Sequence, residues 1–284
     1  MAKNSLESVP SLSIIGMDKN TGKTTFLNTL IQRYGPQKAI ALTSIGYDGE
    51  EVDQVTTTQK PRIFIFSGSI IATARKLLPK CECIKEILRV TDLSTPMGEV
   101  VIFRAKSSGY VEIAGPSTIG GLKRLKEQIL ELAPERQFIV DGALSRKSMA
   151  GHTLCDASIL CTGAALSNSM REVVDKTRYT LDLLGLEGAD PSIKKLSEEH
   201  QEERILYIKD QKVIGFSESL EKEWVEEADT ILMRGLILHR HLVKLLGLND
   251  VKDKTLVIED GTRAFFEEKT MAYLEQKGIH LKVL

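Results

Sequence analysis

The chain has no excess of positive charge: 38 Lys and Arg face 39 Asp and Glu, for a formal net charge of −1. A sequence-independent grip on nucleic acid needs a basic surface, so this balance excludes that class apart from a local basic patch. No apolar run reaches the roughly 18 residues of a membrane-spanning helix. The polar stretch Met1 to Ser11 has no signal-peptide apolar region, so the expected location is cytoplasmic. Cysteine is scarce. Cys81 and Cys83 are too close together for the usual zinc knuckle, and with Cys155 and Cys161 they read as reduced thiols, the alternative being a metal site drawn from both pairs. Internal repeats and low-complexity segments are absent. What remains is a 284-residue chain with 42% hydrophobic and 27% charged residues, enough for a sizeable core in one large domain or two ordinary ones.

The chain is organised around its first apolar run. Leu12 to Ile15 reads as a buried strand ended by Gly16. Gly22-Lys23-Thr24 then opens a helix with Phe26, Leu27, Leu30, Ile31 and Tyr34 at helical spacing. Strand, glycine-bounded loop, Gly-Lys-Thr and helix is the layout of a phosphate-binding loop. The first N–H groups of a helix lack intrahelical acceptors, and the helix dipole adds partial positive charge there. Lys23 would bring a full charge to the β- and γ-phosphates, and Thr24 a hydroxyl to Mg²⁺. The candidate nucleotide-binding residues are Gly16, Asp18, Asn20, Thr21, Gly22, Lys23, Thr24 and Thr25. Gly16 and Gly22 are separated by five residues, one more than the usual pattern.

The form Gly16-Met17-Asp18-Lys19-Asn20-Thr21-Gly22-Lys23-Thr24 resembles the loop of dethiobiotin synthetases. These belong to the larger class of P-loop ATPases and GTPases that includes the MinD and nitrogenase iron-protein relatives. The resemblance implies Mg-ATP as ligand; no Asn-Lys-x-Asp motif, which guanine-specific relatives normally use, is present.

Farther along, Lys38 to Ile45 reads as a second strand emptying into a polar loop, where Asp48 or Asp53 would orient a metal-bound water unless the loop is simply solvated surface. Pro61 to Phe66 reads as a strand and Ile70 to Leu78 as a helix entered through Ser67-Gly68-Ser69. Ile87–Asp92, Glu99–Ala105 and Tyr110–Ala114 read as an inserted hairpin region, with Gly109 favouring an antiparallel turn. Ser117 and Thr118 are cap candidates for a helix over about 121–132 and a possible second anion-binding helix start. Gln137-Phe138-Ile139-Val140-Asp141 has the pattern of a Walker B strand, placing Asp141 in the Mg²⁺ shell through water. Arg146, Lys147 and His152 follow in a polar stretch that either carries transition-state charge or is surface loop. A strand over 157–162 and a helix over 169–184 complete this part.

Residues 189–203, with Asp190-Pro191 and an acidic run, read as a linker. Beyond it, 204–216 reads as a hairpin about Asp210-Gln211. Helix and strand then alternate to residue 283, which predicts parallel strands with helical crossovers. His239 and His241, two apart on one helix, point to different faces and make a poor shared metal site. The expected architecture is therefore α/β: a mostly parallel sheet with flanking helices over 1–188 plus the inserted hairpin region, and a smaller α/β module over 204–284.

Three further segments are similar to the reactivase subunits associated with lysine 5,6-aminomutase: the Gly16–Thr25 loop, Ala41–Gly46 with Asp48-Gly49-Glu50, and Thr95-Pro96-Met97-Gly98. That resemblance implies ATP hydrolysis coupled to release of damaged cobalamin from an adenosylcobalamin-dependent aminomutase, with the mutase or a second reactivase subunit as partner. Two other functions fit the loop: a dethiobiotin-synthetase-like ligase or kinase acting on a small carboxylate, and a nucleotide-binding regulator with little turnover. Self-association into a homodimer is left open.

Overall fold

The computed structural model of the protein describes residues 6–47, 62–143, 154–247 and 251–284. The chain divides into two compact units, Met1–Val173 and Val174–Leu284. The sequence reading put its boundary later, at 188; the division instead falls within one helix, Met170–Leu184. None of the helices among the described residues is long and apolar enough to cross a membrane.

The first unit contains β1 (Ser11–Gly16), α1 (Lys23–Tyr34), β2 (Ile40–Ser44), β3 (Ile63–Ile65), β4 (Ile70–Ala74), β5 (Lys85–Thr95), β6 (Gly98–Ala105), β7 (Gly109–Val111), α2 (Ile119–Leu132), β8 (Gln137–Ala143) and β9 (Ala157–Cys161). Seven strands form one mixed sheet in the order β5-β6-β4-β2-β8-β1-β9. The five from β4 to β9 run parallel, and β6 and β5 continue antiparallel at one edge. All six residues of β1 and all five of β2 are buried, as expected of strands covered on both faces. Alternation divides them between two cores: Leu12, Ile14 and Leu42 pack with Leu27 and Ile31 of α1, whereas Ile15, Ala41, Phe138 and Val140 pack with Leu122, Leu125 and Ile129 of α2.

Two local expectations are corrected. Residues 70–78, read as a helix, form strand β4 followed by a 3-10 segment, Arg75–Lys80. Ile70, Ile71 and Thr73 are β-branched and suit a central strand, and all five β4 residues are buried between β2 and β6. The turn at Gly109 does not join a hairpin of β6 with β7. Instead β7 pairs antiparallel with β3, the Tyr110 ring meets Phe64 edge-on at 5.4 Å, and the Arg62 guanidinium lies 4.7 Å from the centre of the Tyr110 ring. The adjacent antiparallel pair is β5 with β6.

The second unit contains most of α3 (Met170–Leu184), then α4 (Pro191–Glu199), β10 (Ile205–Lys209), β11 (Lys212–Ser217), α5 (Lys222–Glu227), β12 (Thr230–Met233), β13 (Ile237–Leu238), α6 (His239–Leu246), β14 (Thr255–Ile258), β15 (Ala264–Phe265), α7 (Glu268–Gln276) and β16 (His280–Val283). Its sheet has the order β11-β10-β12-β14-β16, with β12, β14 and β16 parallel. The hairpin between β10 and β11 turns at Asp210 (φ 46°) and Gln211 (φ 59°), the paired positive φ of a type I′ turn. The stretch 189–203, read as a linker, carries α4, capped by the Asp190 carboxylate accepting from Ser192 N–H at 2.8 Å, with Ile193 buried against Leu206 and Val257.

Tyr207 anchors this core. Its ring is fully buried, and its hydroxyl accepts from Glu221 N–H at 2.9 Å and lies 3.0 Å from Ser217 Oγ. Tyr207→Phe leaves that N–H without its acceptor, for an expected loss of about 1–2 kcal/mol. Urea unfolding of the second unit checks this; an unchanged midpoint would show that the hydroxyl contributes nothing.

Candidate functional site

The five parallel strands of the first unit bring their carboxyl ends to one edge of the sheet. The chain leaves β1 through α1 for β2, on one side. It leaves β8 for β9, on the other. Since β1 and β8 are neighbours, their carboxyl ends form a topological switch point, the position where open α/β sheets bind ligands. The Gly16–Thr24 loop lies at the end of β1, and Asp141 lies in β8, in register with Ile14 of β1 and Ser44 of β2.

The loop is built on unusual backbone. Asn20 (φ 59°) and Gly22 (φ 87°) are both left-handed, a conformation that glycine adopts without strain and asparagine tolerates. Thr21 is buried and its hydroxyl donates to the Asp18 carbonyl at 2.9 Å, while the Asp18 carboxylate accepts from Lys19 N–H at 2.7 Å. These bonds hold the loop upon itself. Lys23 folds back across Gly16: a Cβ on Gly16 would stand 2.7 Å from the Lys23 Nζ and 2.6 Å from the Thr21 hydroxyl. Among the described residues the ammonium donates only a long bond, 3.4 Å, to the Asp18 carbonyl. Thr24 is nearly buried in the first turn of α1, and Thr25 is exposed beside it.

The start of α1 differs from those of α2 and α4, and shares its lack of an N-cap side-chain bond with α5, α6 and α7. Thr118 caps α2 by accepting from Gly121 N–H at 3.1 Å, and Asp190 caps α4. Gly22 supplies no side-chain cap to α1. The N–H groups of Lys23, Thr24 and Thr25 have no intrahelical acceptor, and Gly22 offers them no side chain.

Lys23 and Asp141 act on a common neighbour, Cys161 at the end of β9. Burial pushes its thiol pKa up, the Lys23 ammonium works against that, and the Asp141 carboxylate adds to it. The Lys23 ammonium and the Asp141 carboxylate thus both lie within electrostatic range of the Cys161 thiol. Nothing in the local sequence marked Cys161 as part of this neighbourhood; its register with Gly16 across β1 and β9 puts it there. No family model, curated protein or solved structure matches this chain.

Asp48 and Asp53, and also Arg146, Lys147 and His152, lie outside the described residues. The expected anion-binding helix start at Ser117-Thr118 does lie near the end of β2, since Gly115 N–H donates to the Gly46 carbonyl and Gly46 N–H to the Pro116 carbonyl. One of its N–H groups is already taken by Thr118. Among the described residues no three His, Cys, Asp or Glu side chains converge as a ready-made metal cage. A phosphate-bound Mg²⁺ needs no such cage, because phosphate oxygens and water supply most of its ligands.

Proposed function

We propose that the first unit is a P-loop-type nucleotide-binding domain that takes Mg-ATP at the switch point between β1 and β8. The observation that carries this reading is the coincidence, at one sheet edge, of an uncapped helix start, a weakly held lysine and a carboxylate on the neighbouring strand. The donor set fits the group. Backbone N–H groups and Lys23 meet the need of a polyphosphate for positive charge, and the Thr24 hydroxyl with Asp141 meets that of an octahedral Mg²⁺ for oxygen. When bound, Mg²⁺ neutralises charge on the phosphate oxygens. The chain's own part is to orient the polyphosphate along α1, to hold its charge with Lys23, and to fix the metal's water shell through Asp141. Lys23 has only to leave its long bond to the Asp18 carbonyl to meet the phosphate.

Asp141→Asn keeps the shape of the side chain and removes its charge. Calorimetric titration should show nucleotide binding without metal unchanged, and the gain from added Mg²⁺ reduced by about 10–100-fold. An undiminished Mg²⁺ effect would remove Asp141 from the metal shell.

We further propose, on the segments that resemble the aminomutase reactivase subunits, that the bound ATP is hydrolysed to reactivate an adenosylcobalamin-dependent aminomutase. Phosphate release is expected to be slow alone and faster with inactivated lysine 5,6-aminomutase, whose turnover should return. Rapid release that depends on a small carboxylic acid and no protein would replace this with the ligase reading.

A further inference from the structure

The second unit holds a cavity of about 440 Å³ with three arginines on its walls, Arg204, Arg234 and Arg240, together with His241. Its position follows from the fold. Arg234 and Gly235 directly follow β12, Arg204 directly precedes the antiparallel neighbour β10, and the Arg234 N–H to Arg204 carbonyl bond (2.8 Å) extends their ladder. Arg240 and His241 lie in the first turn of α6. The cavity thus opens at the carboxyl end of a parallel strand, beside a helix start.

Among the described residues no carboxylate forms an ion pair with these three arginines. Arg234 is fixed by neutral acceptors alone: its Nε donates to the Glu203 carbonyl at 3.0 Å, and its Nη2 to the carbonyls of Ser197 (2.6 Å) and His200 (2.9 Å) and to the Ser197 hydroxyl (2.9 Å). The guanidiniums of Arg204 and Arg240 form no ion pair or hydrogen bond with another described residue. Glu202 and Glu203 also line the cavity, yet neither pairs with an arginine; the Glu203 carboxylate lies 3.7 Å from His200 Nδ1 instead. His241 is set as a donor. Its Nδ1 accepts the Leu238 N–H at 3.2 Å, which leaves the proton of the neutral ring on Nε2.

Three guanidiniums in one concavity, with no carboxylate partner among the described residues, suit an anion from outside, since Arg favours planar, bidentate recognition of phosphate oxygens. Leu236 and Leu238 on the walls give an organic body something apolar to rest on. We propose that this cavity binds a phosphorylated small molecule, its phosphate held by Arg204, Arg240 and His241 beside the fixed charge of Arg234. All the lining residues belong to the second unit, so the proposal stands whether or not the loop at Lys23 binds nucleotide.

A further consequence is measurable at His241. Burial, then Arg204 and Arg240, push its pKa down. A phosphate among these groups offsets that repulsion, with Arg234, Glu202 and Glu203 the other charged groups on the walls, so the titration of His241 moves upward on saturation.

The probe is inorganic phosphate, titrated calorimetrically into the full chain carrying Lys23→Ala, which silences the loop of the first unit. Saturable binding is expected to persist there and to weaken about tenfold or more in Arg204→Gln and in Arg240→Gln. The imidazole proton signal of His241, followed by NMR, should shift with added phosphate and stay still in Arg240→Gln. Circular dichroism reports folding of each variant; should Arg204→Gln unfold, Arg240→Gln, altered at an exposed residue, decides alone. No saturable binding in the Lys23→Ala chain, or binding unchanged in a folded Arg240→Gln variant, would overturn the site.

Discussion

On the proposed reading, Mg-ATP at about one hundred times its Kd should raise the unfolding temperature of the first unit by roughly 5–10 °C, and Lys23→Ala should remove that rise. The magnitude follows from linkage. Such a ligand concentration contributes about 2.7 kcal/mol, and each kcal/mol moves the midpoint of a domain this size by about 2–4 °C. The loss follows from the geometry. The Lys23 ammonium lies over Gly16 with a single long bond to the Asp18 carbonyl, so transfer to a phosphate breaks little and gains a charge-assisted contact. For the same reason the variant without nucleotide should unfold within about 0.5 kcal/mol of the parent, the range of ordinary surface changes. Differential scanning fluorimetry with Mg-ATP and Mg-GTP side by side makes the comparison. Equal shifts in parent and variant would take Lys23 out of the site.

Phe138→Ala should produce the largest loss of stability, about 3–5 kcal/mol. Phe138 is fully buried in β8, between β2 and β1, and faces the core shared with Leu122, Leu125 and Ile129 of α2. Removing the ring leaves a cavity that the rigid sheet cannot close. The midpoint of the first unit should fall by roughly 6–20 °C, as read by thermal unfolding. Below that midpoint Mg-ATP should still bind, because Phe138 faces the core and the loop lies at the sheet edge. A loss under about 1 kcal/mol would mean that the α2 face of the sheet is not the close-packed core described above.

The sequence was most informative where local chemistry and tertiary role coincide. The β1–loop–α1 unit could be read because Leu12–Ile15 is a run buried on both faces, and because Gly22 holds a backbone conformation that few other residues tolerate. The hairpin at Asp210-Gln211 and the parallel strands β12, β14 and β16 were legible for similar reasons. The misread elements depend on distant partners. Ile70–Ala74 is a strand because β2 and β6 lie on either side of it, and short apolar segments do not reveal their period. The strand β7 pairs with β3 through Phe64 and Tyr110, residues far apart in the chain. For the candidate site, the loop and Asp141 were legible separately, whereas their adjacency depends on the crossing of two connections that no local pattern encodes. The arginine cavity of the second unit was not foreseen at all: Glu202–Arg204 and Arg234–His241 lie apart in the chain and meet only because β10 pairs with β12.

A crystal structure of the full chain with Mg²⁺ and a non-hydrolysable ATP analogue tests the central claim most directly. Density for the β-phosphate should fill the turn between β1 and α1, with the ammonium of Lys23 moved from the Asp18 carbonyl onto phosphate oxygens and Asp141 facing the metal's water shell. An empty turn at saturating analogue, with Lys23 still resting over Gly16, would contradict it.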